Sequence, residues 1–87
     1  MEGESLIDYP TDFPIKVMGR REPRLVQTIV GIVRRHAPDF DAANVELRTS
    51  RKNSYLSVTC TVRATSRAQL DALYRELCDH PSVVMVL

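Results

Sequence analysis

The sequence predicts a two-layer α+β domain, in which one antiparallel sheet is covered on one side by two helices. Two segments place apolar residues at three- and four-residue spacing, as amphipathic helices do. Four other segments have strand patterns, and three of these alternate apolar with polar side chains. A chain of 87 residues is long enough for one core of two layers and for no second domain.

The first part of the chain predicts a strand, a connection and a helix. Alternation over residues 13–19 is typical of a strand with one buried face, and Gly19 ends it. Residues 20–22 then form an exposed connection. Pro23 suits the first turn of a helix, where its missing N–H costs nothing. Apolar residues recur at helical spacing over 25–33, and the helix ends near His36.

The remainder predicts a hairpin, a second helix and a final strand. Residues 45–50 and 55–64 alternate cleanly on either side of a short polar turn, which favours a hairpin. Ser66 to Gln69 has the form of a capping box before a helix that ends around Cys78 or Asp79. Residues 83–87 are all apolar and form the last strand.

The simplest fold with the order strand, helix, strand, strand, helix, strand is a ferredoxin-like βαββαβ sandwich. We expect an antiparallel sheet of order 4-1-3-2 with both helices on one face and the other face open. The domain spans residues 13–87. Residues 1–12 are expected to be a tail, partly docked through Leu6, Ile7 and Tyr9.

Composition excludes several classes of function. Twelve Lys and Arg against eleven Asp and Glu leave a net charge of +1, so nucleic acid is not an expected partner and a membrane surface is not either. Two cysteines without a CxxC favour a reducing compartment, and the N-terminus lacks the apolar stretch of a signal peptide. We therefore predict a cytoplasmic protein.

Catalytic patterns are poorly represented. His36 and His80 are far apart in sequence, and each stands at a predicted helix end. No nucleophile elbow, zinc spacing or calcium loop is present. We expect no catalytic residue, no metal site and no cofactor.

The open face of the sheet is the first candidate surface, and its alternative interpretation is an ordinary solvated face. RNA-recognition modules of this fold stack bases on aromatic residues of the central strands, but only Tyr55 is available here. The candidate open-face residues are Lys16, Met18, Arg48, Tyr55, Ser57, Thr59 and Arg63. Arg51 and Lys52 would add to the basic patch at the hairpin.

Two further surfaces are candidates. A glycine turn with arginines at a helix N-terminus can hold an anion, which makes the connection after strand 1 a candidate effector site. Its residues are Gly19, Arg20, Arg21 and Arg24. The last strand is an apolar sheet edge without the usual blunting charges, so the tail, a second copy or a protein partner is expected to cover it. Its residues are Val83, Val84, Met85 and Val86.

Several short motifs of the sequence resemble those of the YbeD family (UPF0250-type), which comprises small uncharacterised bacterial cytosolic proteins. They are KVMG at 16–19, HAP at 36–38, YLSVT at 55–59, AT at 64–65, LYREL at 73–77 and VL at 86–87. The resemblance covers about residues 13–87. It implies a fold similar to the ACT-type regulatory domains of amino-acid metabolism, which bind small effectors at the turn after strand 1, often across a dimer interface. Gly19 matches the glycine common there.

We therefore predict a non-enzymatic regulatory or protein-interaction domain, with a small-molecule effector, a protein partner or a second copy as its ligand. Weak RNA binding through the open face is the alternative. An anion-directed enzyme acting through Arg20 and Arg21 is the third hypothesis.

Overall fold

The computed structural model describes residues 8–50, 52 and 54–87, and its order of elements is the predicted one. The expected anchors Leu6 and Ile7, and Arg51 of the hairpin, lie outside the described residues. The elements are β1 (Thr11–Arg20), α1 (Leu25–His36), a short 3-10 turn (Ala42–Asn44), β2 (Val45–Thr49), β3 (Tyr55–Ala64), α2 (Arg67–Asp79) and β4 (Val83–Val86).

The sheet has the order β2-β3-β1-β4 and is antiparallel throughout, which confirms the predicted ferredoxin-like topology. β1 and β3 form its centre and pair over their whole length, from Thr11 opposite Ala64 to Arg20 opposite Tyr55. β4 pairs only with the second half of β1, and a register shift separates Met18 from Gly19 on that side. β2 and β4 are the edges.

The core lies between the sheet and the two helices. Most alternate residues of β1 and β3 are buried on this side, as the sequence pattern predicts, while Phe13 and Leu56 are partly buried. The helices add their apolar stripes, with Ile29 and Val33 of α1 and Leu73 and Leu77 of α2 wholly inaccessible to solvent. No polar or charged residue is buried in the described part of the chain. No helix of the described segments covers the opposite side of the sheet.

Around β1 and the start of α1, three details differ from the sequence-based expectation. β1 begins at Thr11, because Thr11 and Asp12 pair with the end of β3 although neither is apolar. β1 also continues through Arg20, which was expected in the connection. Pro23 stands in the turn before α1 rather than within its first turn, since Leu25 is the first helical residue.

The two helices are joined at their ends by polar contacts. Ser66 Oγ accepts a hydrogen bond from the Gln69 N–H at 3.1 Å and so caps α2. The Gln69 side chain accepts from the Thr65 N–H at 2.7 Å and donates to the His36 carbonyl at 2.8 Å. Glu76 of α2 contacts both Arg35 and His36, which closes α1 against α2. None of the helices in the described segments is long and apolar enough to cross a membrane.

Candidate functional site

The open face is polar along β3 and is divided into a basic end and an acidic end. In antiparallel strands, residues directly opposite each other share a face. The ladder therefore aligns Arg48, Ser57 and Met18 in one row. The next row contains Lys16 and Thr59, with Glu46 on the far side of Thr59. The basic end of the face is defined by Lys16, Met18, Arg20, Arg48, Tyr55 and Ser57.

A depression of about 130 Å³ lies at this basic end. It gathers five of the seven predicted open-face residues and adds the end of the β2–β3 hairpin. The lining residues are Lys16, Met18, Arg48, Thr49, Ser50, Tyr55 and Ser57. Its volume is close to that of the roughly 150 Å³ cavity in which a benzene molecule can be held. The depression can therefore hold one group of side-chain size, with two cations at its wall.

The hairpin fixes the aromatic wall of the depression. The Ser50 N–H donates to the Tyr55 carbonyl at 3.0 Å, and Ser50 Oγ accepts from the Tyr55 N–H at 3.1 Å. Tyr55 is thereby held at the start of β3, and 40% of its surface is exposed. Ser50 also belongs to the depression, and the alternation over residues 45–50 places it on the open face as predicted. Thr49 was not predicted there, because it stands opposite Leu56 on the helix side of the sheet.

The Ser57 hydroxyl lacks a hydrogen-bond partner. Its Oγ is buried, and it is the only such side-chain polar atom found among the described residues. An unsatisfied buried hydroxyl costs about 1–3 kcal/mol. Because Ser57 also lines the depression, rotation of its hydroxyl toward that space would let a ligand oxygen accept from it and remove this cost.

The cations of the basic end are available to a ligand. Lys16, Arg20 and Arg48 are exposed, and their side chains have no hydrogen-bond or ion-pair partner among residues 8–50, 52 and 54–87. Arg20 was predicted with the connection, but it lies opposite Tyr55 in the β1–β3 ladder and so shares the open face. The alternation of β1, extended by one more step, would have indicated this.

The acidic end of the same face is occupied differently. Arg63 forms an ion pair with Asp12 at 3.2 Å, so it is not free to bind an anion. Glu46 lies beside Thr59 in the ladder and lines a second depression with Asp12. The structure therefore separates Arg63 from the other predicted open-face residues, and it places Thr59 between the two ends.

β4 extends the basic end with apolar surface. Met85 stands opposite Met18, and the Leu87 backbone exchanges hydrogen bonds of 2.8 and 3.1 Å with Lys16. Met85 is 47% exposed and Leu87 is 61% exposed. Val83 and Val86 instead pack against the core, so only part of the predicted apolar edge is exposed. Val84, at the register shift, is 49% exposed.

The predicted effector residues after β1 do not form one group. Gly19 is buried, and a Cβ at this position would meet the Ser82 carbonyl oxygen at 2.7 Å and Leu25 Cδ1 at 2.8 Å. Gly19 is thus required for packing. Arg21 lies by a separate, open depression formed with Val26 and others, and Arg24 precedes α1 without capping it.

Three titratable side chains away from the open face are engaged in structure. Cys60 is fully buried, and burial raises the pKa of its thiol to about 11. His36 Nε2 lies 2.7 Å from a Glu76 oxygen and contributes to the junction of the helices. Burial, followed by the charge of nearby Cys78, raises the pKa of the Tyr74 hydroxyl. No cluster of three or more potential metal ligands exists within the described residues.

The comparisons with known sequences agree over almost the whole chain. A family model described as "Protein of unknown function (DUF493)" matches residues 4–87. A UPF0250 protein of Nitrosomonas europaea is 55% identical over 100% of both chains. A UPF0250 protein of Bordetella pertussis is 57% identical over 97% of this chain and 92% of its own.

Solved structures of similar fold include an ACT domain. Protein HP0495 of H. pylori superposes with a TM-score of 0.76 at 15% identity, over 93% of this chain and 85% of that one. The ACT domain from GTP pyrophosphokinase of Chlorobium tepidum gives 0.59 at 21% identity, over 88% and 97%. At these identities the likeness shows a common fold, and the predicted ACT-like architecture is confirmed.

Proposed function

The chain belongs to the DUF493 (UPF0250) family, and from this premise we propose that it is a non-enzymatic regulatory domain that binds an anionic group at the basic end of its open face. The single observation that carries the proposal is the depression lined by Lys16, Arg48 and Ser57, whose side chains have no hydrogen-bond or ion-pair partner in the described part of the chain. A regulatory role accords with the ACT domain of a larger enzyme among its structural relatives.

The chemistry of the depression favours a carboxylate attached to an apolar group. Lys16 and Arg48 supply positive charge, the Ser57 hydroxyl supplies a donor, and Tyr55 and Met18 supply apolar wall. Charge-assisted hydrogen bonds are roughly twice as strong as neutral ones. A rigid aryl acid therefore matches both parts of the site.

The test is an amide-shift NMR titration of the labelled protein with phenylacetate. A ligand of this size in a shallow site is expected to bind with a Kd of about millimolar order. Shifts are expected at Lys16, Arg48 and Ser57, and the double variant Lys16→Gln/Arg48→Gln should abolish them. The matched control, Arg34→Gln/Arg75→Gln, removes two exposed cations from the helices and should bind as the wild type does. Absence of shifts at the basic end would reject the proposal.

A second candidate function is an effector site at the start of α1. This helix has no side-chain N-cap and no acidic residue in its first turn, and Arg21 borders an open depression of about 410 Å³ beside it. Arg21→Gln with Arg24→Gln is the appropriate test pair, because substitution of Gly19 would disturb packing. If phenylacetate shifts only the amides of residues 21–26, and this double variant abolishes those shifts, the site at the start of α1 is favoured over the open face.

We place the domain in the cytoplasm. Cys60 and Cys78 are both free thiols, and Cys60 is buried without a disulfide partner, which accords with a reducing compartment. The engagement of His36 by Glu76 and the buried Cys60 thiol support a binding role rather than a catalytic one.

A further inference from the structure

We propose that the anionic group is presented by a protein partner, as an extended acidic segment that carries one large apolar side chain. This inference rests on the proposed function and names its ligand. The apolar side chain enters the depression, acidic side chains on either side pair with Lys16, Arg20 and Arg48, and the segment also covers Met85 and Leu87.

The extent of the surface distinguishes a segment from a small metabolite. From Lys16 to Arg20 the basic end extends along β1 by about 14 Å, and from β4 to β2 it extends by about 14 Å across the sheet. A metabolite of the size of the depression would leave Met85 and Leu87 uncovered, although both are about half exposed or more. About four residues of extended chain would span the same distance.

The side chains offered by β1 and β4 fit a polypeptide. Met18 and Met85 stand opposite each other, and methionine side chains adapt to irregular apolar surfaces at binding sites. Leu87 adds apolar area beside the Lys16 ammonium. This arrangement, apolar side chains with cations on both sides, is complementary to a segment in which acidic residues surround an apolar one.

The distribution of charge disfavours a nucleic acid on the same face. The acidic end begins at Glu46, next to Thr59, and continues to the Asp12–Arg63 pair. A phosphate backbone crossing the face would therefore meet negative charge after the basic end. Among the described residues of this face, Tyr55 alone could stack on a base, whereas sequence-tolerant single-strand binding uses successive aromatic side chains.

The experiment titrates the labelled full chain with the blocked peptide Glu-Asp-Ser-Phe-Asp-Glu, and separately with phenylacetate and with a uridine decamer. The peptide is expected to bind at least about tenfold more tightly than phenylacetate, which corresponds to ~1.4 kcal/mol. Its shifts should extend to Met85 and Leu87, and its affinity should fall steeply with added salt. A peptide with Lys in place of each acidic residue should not bind.

Two variants separate the inference from the proposed function. Met85→Ser/Leu87→Ser should weaken the peptide by about fivefold or more and leave phenylacetate unchanged. Leu47→Ser is its control, because Leu47 is also exposed, at 53%, but lies opposite Val58 on the helix side of the sheet. Circular dichroism melting confirms that each variant is folded.

The outcomes are distinct. If phenylacetate and the peptide bind equally, or if peptide shifts stop at Met18, the segment is wrong while the anion site stands. If neither binds at the basic end, both proposals are overturned. Tighter binding of the uridine decamer than of the peptide would also overturn the inference, in favour of RNA.

Discussion

Gly19 allows three elements of the domain to pack closely together. A buried position at the end of β1 brings the Ser82 carbonyl and the Leu25 side chain so close that no Cβ fits between them. The Arg20 N–H donates to that same Ser82 carbonyl at 3.0 Å. The glycine that the sequence placed in an effector loop therefore serves first to let β4, β1 and α1 approach one another.

Gly19→Ala is expected to lower the free energy of unfolding by about 1–3 kcal/mol, the usual cost of overpacking. Gly31 is the matched control, because a Cβ there meets nothing within 4 Å and the residue lies inside α1. Gly31→Ala should raise stability by about 0.5–1 kcal/mol. Urea denaturation measures both, and a Gly19→Ala protein as stable as the wild type would contradict the packing role.

Among the elements, the sequence predicts the bounds of a strand best where one face of it is buried. It predicts them worst where backbone pairing with another strand alone determines where the strand begins. The bounds of β3 agree with the prediction because its apolar residues alternate without interruption over the buried face. The start of β1 and the 3-10 turn at Ala42–Asn44 were not predicted, since their polar residues are positioned by tertiary pairing and by the Asp41 cap.

The candidate site was predicted in part for the same reason. Alternation placed Lys16, Met18, Arg48, Tyr55 and Ser57 on the open face, and the depression contains them all. Alternation could not indicate that Arg63 would pair with Asp12, since that contact depends on the register between β1 and β3. The contribution of β4 likewise depends on which residue faces Met18.

The cap of α2 is expected to stabilise more than the cap of the 3-10 turn. Ser66→Ala removes the acceptor for the Gln69 N–H and should cost about 1 kcal/mol. Asp41 accepts similarly from the Ala43 N–H at 3.0 Å, but it caps only a three-residue exposed turn. Asp41→Ala should therefore stay within about 0.5 kcal/mol of the wild type. Equal losses in thermal or urea unfolding would contradict this ranking.

At the scale of the whole molecule, the two cysteines report on global unfolding. Cys60 is inaccessible and its thiol pKa is raised to about 11, whereas Cys78 is exposed. At pH 8, iodoacetamide should modify Cys78 rapidly and Cys60 only as fast as the protein opens. In the Cys78→Ser variant, mass spectrometry measures the labelling of Cys60 alone. Rapid labelling of that variant would contradict the burial of Cys60.

The same thiol gives a pH dependence of stability. An unfolded cysteine ionises near its ordinary pKa of about 8.5, while the native thiol keeps its proton to about 11. Between these values the native state binds more protons, so the free energy of unfolding falls as pH rises. Cys60→Ala should show a smaller fall over this interval than the wild type, measured by urea unfolding.

The central position of β1 also bears on how the chain reaches its native state. β1 is made before the other elements, yet its two neighbours, β3 and β4, are made after α1 and after α2 respectively. Only β2 and β3 are joined by a short turn, so they are the pair that can associate early during synthesis. Until β3 emerges, β1 presents an apolar strand without a partner, the kind of segment on which chaperones act and from which aggregation begins.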